Sequence, residues 1–347
     1  MTVTIRKIAE MAGVSVGTVD RALNNRGRIN PKVAERIMLI AKEVDYQPNK
    51  IAKTLSINKR KLRFAVILHV MDNQFVSTVL QGVQAAAVEL KSSGTTVDVI
   101  PCKDFDALEQ ARLIDQAVNN GYNAIALIPL NSAIIRARVN ELTLKGYPVI
   151  LLTSMIDDAN FLCYVGSDYR YSGRIACGIL NQITQGEICA GVLIANLNMW
   201  SNRLRYESIK EYLSIKYPRI SLKHVLELSN EEAGSYIETK DFLDEHTDLQ
   251  AIFYCSGAVS GGLRAIIEQH SKRKFKVVSF DFSETILKAL ENGVISFTVS
   301  QNPKEQGYRA IRILADHFIS PTQMKNHFCY INSEIIVYEN NLSHNGA

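Results

Sequence analysis

An aspartate, an arginine and a glutamine in this sequence have side chains suited to holding a ligand by hydrogen bonds. Asp281 directly follows the apolar run KVVSF, Gln301 follows ISFTVS, and Arg203 lies in the segment SNRLRYESI. A carboxylate, guanidinium or amide group can form hydrogen bonds to two adjacent hydroxyls at once. An aromatic ring such as Phe75 can cover the C–H face of a sugar. Structural roles remain open for some of these residues: Asp281 as an N-cap, Arg203 as a surface ion-pair partner and Phe75 as core.

Motifs for catalysis do not accompany these groups. No G-x-G-x-x-G follows an apolar run, and neither a G-x-x-x-x-G-K-[ST] loop nor a G-x-S-x-G turn is present. The six cysteines occur singly without a C-x-x-C pair, and no histidine has a His or Cys partner at ligand spacing. The sequence therefore predicts buried free thiols and a binding protein, with no enzymatic activity, cofactor or metal site.

The stretch GVSVGTVDRALNNRGRI (residues 13–29) suggests a second kind of chemistry. It is polar, rich in small residues and carries three arginines, Arg21, Arg26 and Arg28. Residues 1–63 hold fourteen Lys or Arg against five Asp or Glu, a charge of +9, whereas the remaining residues hold 25 against 30, a charge of −5. A basic head on a mildly acidic body indicates contact with a polyanion.

Three short helices are predicted to position these arginines. Thr4 is an N-cap candidate before the apolar stripe IRKIAEMA, Gly13 ends that helix, and Ser15 caps the next. Asn24 ends the second helix, and Asn30 before Pro31 starts the third. This is the pattern of a helix-turn-helix, although a three-helix cap on the main domain has the same spacing; the charge of +9 favours DNA.

From residue 64 onward, apolar runs alternate with helical periodicity. Near-continuous apolar strands separated by helices are typical of parallel sheets covered on both faces, and eight strands suit two lobes. Ligands of such sheets bind beyond the carboxyl ends of the strands. The predicted strands are residues 64–70, 97–102, 124–130, 148–152, 190–196, 251–255, 276–280 and 295–300.

The length of 347 residues suits two or three domains, and the hydrophobic content of 47% suits a globular protein with a sizeable core. No stretch approaches the roughly 18 apolar residues of a membrane span. Glu10 and Asp20 interrupt the first twenty residues, which is unlike a signal peptide. A cytoplasmic location is expected.

The head resembles the DNA-binding headpiece and hinge of the lactose repressor/galactose repressor (LacI/GalR) family. AGVS, TV-x-R-x-LN and Y-x-PN-x-x-A-x-x-L occur in order over about 60 residues without a gap. The resemblance implies that the second helix reads the major groove through Val16, Gly17 and Arg21. Arg21 suits a fork onto guanine, Val16 offers apolar contact only and Gly17 offers no side chain, so base readout should be sparse.

Further along the head, QPNKIAKTLSINKRK resembles the hinge helix that folds when two subunits sit on an operator. Leu55 matches the leucine that enters the minor groove, and Lys53 suits a phosphate. A flexible basic linker is the alternative. Asp20 stands where the family usually has a serine. Its carboxylate either accepts a hydrogen bond from a cytosine amine or pairs with a neighbouring arginine. The DNA-binding residues implied are Thr4, Ser15, Val16, Gly17, Thr18, Arg21, Asn24, Asn49, Lys53 and Leu55.

The body, over about residues 62–340, resembles type I periplasmic sugar-binding proteins. MDNQF, SNRLRYESI, VVSFDFS and TVSQNPKEQGYRA carry this resemblance, and VGSDYRYSGRIA matches the step into the second lobe. In the family the first arginine of SNRLRYESI would grip the sugar, and Trp200 lies in the loop just before it. The ligand-binding residues implied are Asn73, Phe75, Thr153, Trp200, Arg203, Ser256, Asp281 and Gln301.

Two departures from the family pattern bear on the ligand. Thr153-Ser154 stands where sugar binders often have Asp-Arg, and Ser256-Gly257 stands where they often have Asn-Asp. Both changes remove strong hydrogen-bonding groups and leave space. A bulkier, modified or less polar molecule than a simple pentose or hexose is therefore expected.

The resulting prediction is an all-α helix-turn-helix headpiece (1–46), a hinge (47–61) and a two-lobed α/β effector domain of the type I periplasmic-binding-protein class with parallel sheets (62–340). The lobes are expected at 62–163 with 294–325, and at 164–293 with 326–340. We expect a ligand-responsive repressor of carbohydrate genes that binds a pseudo-palindromic DNA operator as a homodimer. A solute-binding protein and an α/β enzyme with a DNA-binding head are the alternatives.

Overall fold

A computed structural model describes residues 5–23, 29–44, 61–69, 74–103, 106–195, 197, 199–229, 231–255, 260–319 and 327–342. At its start, three helices pack around Ile8, Val19 and Ile37, which are fully buried. Gly13 ends the first helix with a φ of 65°, a conformation that favours glycine. The predicted headpiece helices are confirmed as Ile5–Ala12 (α1), Val16–Leu23 (α2) and Pro31–Glu43 (α3).

The first lobe contains a six-stranded, all-parallel sheet in the spatial order β11-β5-β4-β3-β1-β2. Helices cover both of its faces, and two buried apolar clusters fill the spaces between. Its strands are Arg63–His69 (β1), Thr96–Cys102 (β2), Ala124–Leu127 (β3), Val149–Leu152 (β4), Cys163–Ser167 (β5) and Phe328–Ile331 (β11).

The second lobe repeats this plan in the order β12-β10-β9-β8-β6-β7, with only the edge strand β12 antiparallel to its neighbour. Its strands are Ile188–Ile194 (β6), Ile220–Glu227 (β7), Ala251–Cys255 (β8), Lys276–Phe280 (β9), Ile295–Ser300 (β10) and Glu334–Ile336 (β12). The eight predicted strands are therefore confirmed, and β5, β7, β11 and β12 are additional.

Helices connect these strands and form a layer on each face of the sheets. The helices of the effector domain are Gln74–Lys91 (α4), Ala107–Asn119 (α5), Ala133–Leu144 (α6), Tyr169–Ile183 (α7), Trp200–Lys216 (α8), Glu232–Glu245 (α9), Ser260–Lys272 (α10), Glu284–Glu291 (α11), Pro303–Ile319 (α12) and Glu339–Leu342 (α13). None of the helices in the described residues is long and apolar enough to cross a membrane.

The sheets correct the expected lobe boundaries. Residues 163–167 and 328–331 belong to the first sheet, whereas 295–300 and 334–336 belong to the second. The expected division assigned residues from 164 and from 326 to the second lobe and residues from 294 to the first. The difference arises because each crossing follows the carboxyl end of a strand that still pairs within the sheet it is leaving.

The chain crosses between the lobes three times, after Ser167, after Ser300 and after Ile331. Hydrogen bonds join the crossings side by side: the Ser167 hydroxyl donates to the Gln301 carbonyl at 3.3 Å, and Asn302 Nδ2 donates to Glu334 Oε1 at 3.1 Å. Asp168 begins α7 at the first crossing by accepting from the Tyr171 amide at 2.9 Å.

The first crossing is thus held to the second, and the second to the third.

A close contact between α4 and α12 covers one face of the first sheet. A Cβ at Gly82 would lie 1.8 Å from the Lys304 carbonyl oxygen, and a Cβ at Gly307 would lie 2.1 Å from the Val79 carbonyl oxygen. Glycine is required at both positions because the two backbones approach each other there.

Candidate nucleic-acid interface and effector site

In the headpiece, α2 presents its first turn and Arg21 to solvent. The Ser15 hydroxyl accepts from the Thr18 amide at 3.2 Å, which caps the helix as predicted. Val16, Gly17 and Arg21 are exposed, whereas Val19 is buried against the other two helices. The face that would meet base edges is therefore opposite the face that makes the core.

Arg21 is partly ordered by its own helix, because its Nε donates to the Gly17 carbonyl at 3.1 Å. The predicted DNA contacts Thr4, Asn24, Asn49, Lys53 and Leu55, together with the Asp20 side chain, lie outside the described structure. Their roles stay predictions.

In the effector domain, the most distinctive group is the buried guanidinium of Arg205. Only 2% of this residue is exposed, and its Nε and Nη2 have no hydrogen-bond partner among the described residues. Its Cζ lies 4.2 Å from the ring centroid of Phe280 and 5.3 Å from that of Tyr169. Buried donors without partners are costly to a fold, so a group of this kind indicates a ligand position.

Asp281 and Gln301 form the acceptor side of this cluster. Gln301 Nε2 donates to Asp281 Oδ1, while Gln301 Oε1 is buried and has no partner in the described part of the chain. Asp281 has a φ of 71°, held by its amide donating to the Val299 carbonyl at 3.0 Å and by the Thr298 hydroxyl donating to its carbonyl at 2.7 Å. A positive φ is an unfavourable backbone conformation for aspartate, and residues held in such conformations are common at functional sites.

Burial raises the pKa of Asp281, and the nearby Arg205 and Gln301 oppose this by stabilising the carboxylate. Cys255, at the end of β8, belongs to the same surroundings. Burial raises the pKa of Cys255 to about 12, with Arg205 acting in the opposite direction. The thiol is therefore protonated at neutral pH and is not a nucleophile there.

An aromatic wall joins the two lobes beside this cluster. The ring of Trp200 lies edge-on to Tyr164 and Tyr169, with centroid distances of 5.8 and 5.6 Å, and it packs against the core of the first lobe. The Tyr169 hydroxyl donates to the Thr153 carbonyl at 2.7 Å. Thr153 itself is buried and has a φ of 61° at the end of β4.

Three of the predicted ligand-binding residues have other contacts in this structure, two of them in roles that the sequence had left open. Trp200 is the first residue of α8 and not part of a loop. Arg203 forms an ion pair, with its Nη2 3.7 Å from Asp157 Oδ2 of the first lobe. Phe75 packs on the core of the first lobe. Asn73 and Ser256 lie outside the described residues.

Arg205 and Tyr169 are the residues that sequence reasoning missed. A usable signal existed for Arg205, because Arg205, Ile209 and Leu213 follow one another at four-residue spacing on the buried face of α8. A charged residue on an apolar helical stripe is rarely buried without a partner or a ligand.

Comparison with known proteins agrees with both halves of this description. Residues 4–49 match the family model of bacterial regulatory proteins of the lacI family, and residues 64–320 match that of the periplasmic binding protein domain. The second match alone covers well over half of the chain.

Two relatives match this chain over most of its length. The chain is 25% identical to the ribose operon repressor of Halalkalibacterium halodurans over 281 residues, 80% of each chain. It is 24% identical to the transcriptional regulator RegA of Clostridium saccharobutylicum over 325 residues, 90% of this chain and 92% of that one.

Among solved structures, a putative LacI transcriptional regulator from Bacteroides fragilis superposes with a TM-score of 0.72 at 19% identity, covering 82% of this chain and 100% of that one. At that identity the superposition establishes the fold alone. Together, the headpiece helices, the two parallel sheets and the family matches show that this chain belongs to the LacI family of transcriptional regulators, with a DNA-binding head joined to a periplasmic-binding-protein domain.

Proposed function

We propose that this regulator represses genes of carbohydrate uptake or catabolism and that a sugar or sugar-like effector controls its binding to DNA. The observation that carries the proposal is the buried cluster of Arg205, Asp281 and Gln301, which has donors and an acceptor without partners. Such a set suits vicinal hydroxyls, and the adjoining aromatic rings suit the apolar face of a sugar ring.

The surroundings of the cluster favour an effector less polar than a simple hexose. At Thr153 the backbone carbonyl is already occupied by the Tyr169 hydroxyl, and Trp200 and Tyr164 form an aromatic surface beside it. A ligand with a methyl, acyl or aryl substituent would fill this side better than one bearing hydroxyls throughout.

The effector would act through the relative position of the lobes. Contacts across the cleft join Arg203 to Asp157, and the Glu284 amide donates to Gln74 Oε1 at 3.1 Å. A ligand shifts this arrangement only by the difference between its affinities for the closed and open forms. Whether it releases DNA or strengthens binding depends on which form presents the headpieces correctly.

We further propose a homodimer that binds a pseudo-palindromic operator in the cytoplasm. One headpiece offers only sparse base contacts through Val16 and Arg21, so two half-sites are needed for useful specificity. We also propose that the protein binds its effector without converting it chemically. The cluster consists of hydrogen-bonding groups, and the nearby Cys255 thiol is protonated.

Capture of fragmented genomic DNA by the purified protein, with and without a panel of sugars, tests this function. We expect enrichment of a short inverted repeat beside carbohydrate genes and a change in enrichment with one class of sugar, which should be recovered intact. The Asp281→Ala variant should retain DNA binding and lose the response. Diffuse, salt-labile binding under all conditions would contradict the proposal.

A further inference from the structure

Three potential metal ligands meet at the end of the second lobe farthest from the effector cluster. Cys189 is the second residue of β6, His224 lies within β7, and Asp248 lies in the loop before β8. Their ligand atoms all lie within 4.8 Å of one another. Asp281 and Gln301 follow the carboxyl ends of β9 and β10, so a strand length of roughly 16 Å separates the two places.

We propose that Cys189, His224 and Asp248 bind a divalent cation of the zinc class. Thiolate, imidazole and carboxylate are the ligand types that zinc takes in proteins. The sequence could not indicate this site, because the three residues come from two strands and a loop and have none of the short spacings of known zinc motifs.

The distances fit a tetrahedral ion. The Cys189 Sγ lies 3.2 Å from Asp248 Oδ2, and His224 Nε2 lies 3.5 Å from Asp248 Oδ1. Metal–ligand bonds of about 2.0–2.3 Å at tetrahedral angles place neighbouring ligand atoms roughly 3.3–3.6 Å apart. Because these two contacts are to different oxygens of the carboxylate, Asp248 must rotate or bind through both oxygens, and a fourth position then remains for water.

The His224 imidazole is held in place by neighbouring rings, and its Nε2 has only the long contact with Asp248. The His224 ring stacks on that of His246, with centroids 3.9 Å apart, and meets Phe242 edge-on at 6.3 Å. Apart from that contact, the buried Nε2 has no hydrogen-bond partner among the described residues. If the cluster were purely structural, this buried nitrogen would lack a good hydrogen bond, which costs free energy. A bound cation would instead be coordinated by it.

Binding exchanges a proton for the metal. Burial and the hydrogen bond to Asp248 raise the pKa of Cys189 to about 11, so the thiol is protonated at neutral pH. The cation displaces this proton to solvent, and the thiolate sulfur forms the bond to the metal. Lys223 opposes the cation, since its Nζ lies 4.0 Å from Asp248 Oδ2, but its side chain is half exposed and free to turn into solvent.

Cobalt is a suitable probe, because Co²⁺ takes zinc sites and a thiolate ligand gives it a charge-transfer absorption. The full-length reduced protein, treated with a chelator, should develop this band with saturation at one equivalent, and Zn²⁺ should abolish it. Zn²⁺ should also raise the melting temperature, because it binds only the folded state. No band at all in the unmodified protein would overturn the proposal.

Variants assign the ligands. Cys189→Ser and His224→Gln should lose the band and the thermal shift, whereas Cys329→Ser, a change at a partly buried thiol in the first lobe, should retain both. Asp248→Asn changes an exposed side chain, so it should fold normally and bind Co²⁺ at least tenfold more weakly. Persistence of the band in Cys189→Ser, or unchanged affinity in Asp248→Asn, would also overturn it. Genomic DNA capture by each variant should match that of the parent protein.

Discussion

Arg205 and Arg203 stand two positions apart on α8 and provide a matched pair for testing the effector site. Arg205→Lys keeps the charge but removes the planar fork beside Asp281, so the effector should bind at least tenfold more weakly. Arg203→Ala removes only a half-exposed ion pair and should change affinity a few-fold at most. Calorimetric titration with the sugar selected by the DNA-capture assay measures both, and equal losses would place the site elsewhere.

The same pair shows the limit of sequence reasoning at the residue scale. Asp281 and Gln301 were predictable because a residue that follows a buried parallel strand must lie at the ligand-binding edge. The choice between two arginines depends on the rotation of a helix about its axis, where two residues differ by about 200°. Family resemblance pointed to Arg203, while the four-residue spacing with Ile209 and Leu213 pointed to Arg205.

If α2 reads base edges as predicted, Arg21→Ala should abolish discrimination between operator and random DNA while leaving weak binding that falls steeply with salt. The reason is that phosphate contacts supply affinity and base contacts supply specificity. Arg36→Ala on α3 is the matched control, because it removes one exposed positive charge outside α2. Competition binding at two salt concentrations measures both; retained discrimination in Arg21→Ala would refute the groove assignment.

At the scale of elements, the contact between α4 and α12 depends on the absence of a side chain. Gly82→Ala would place a methyl group into the backbone of Lys304, so the helices must separate, and the free energy of unfolding should fall by about 1–3 kcal/mol or more. Gly178→Ala on α7 is the control: its nearest neighbour would be the Tyr217 hydroxyl at 3.7 Å, and removal of a helical glycine should be neutral or stabilising by up to about 1 kcal/mol. Urea unfolding compares them, and equal midpoints would contradict the argument.

Three of the four strands that sequence reasoning missed lack a long buried run. The strand β7 is at a sheet edge and alternates exposed and partly buried residues after its first position, so it has no continuous apolar run. The strand β11 has one buried residue among four, and β12 has none among three. The sequence also could not predict which of the two sheets β10 joins. Its pairing with β9 is a long-range property that the apolar pattern of either strand does not contain.

At the scale of the whole molecule, buried thiols should make the fold sensitive to alkali. Burial raises the pKa of Cys163, Cys177 and Cys255 to about 12 each, whereas an unfolded thiol titrates near 8.5. The stability they contribute is complete below the unfolded pKa and is lost as pH rises toward 12, because the unfolded chain releases these protons first. At about pH 10 the loss should be on the order of 1–2 kcal/mol per thiol.

Urea unfolding at neutral pH and at about pH 10 measures this effect, and the midpoint should fall. Replacing the three cysteines by alanine should reduce the fall, with the buried tyrosines Tyr164 and Tyr169 supplying a remainder of the same sign. A midpoint that does not change with pH would show that these thiols ionise as readily in the folded chain.

The three hydrogen-bonded crossings between the lobes have a mechanical meaning. Two bodies joined by one tether can bend in two directions and twist, whereas three strands side by side resist twisting and lateral bending and leave a single hinge axis. The state of the effector domain then reduces to one angle. Chemically different effectors that favour the same angle would therefore have the same effect on the DNA-binding head.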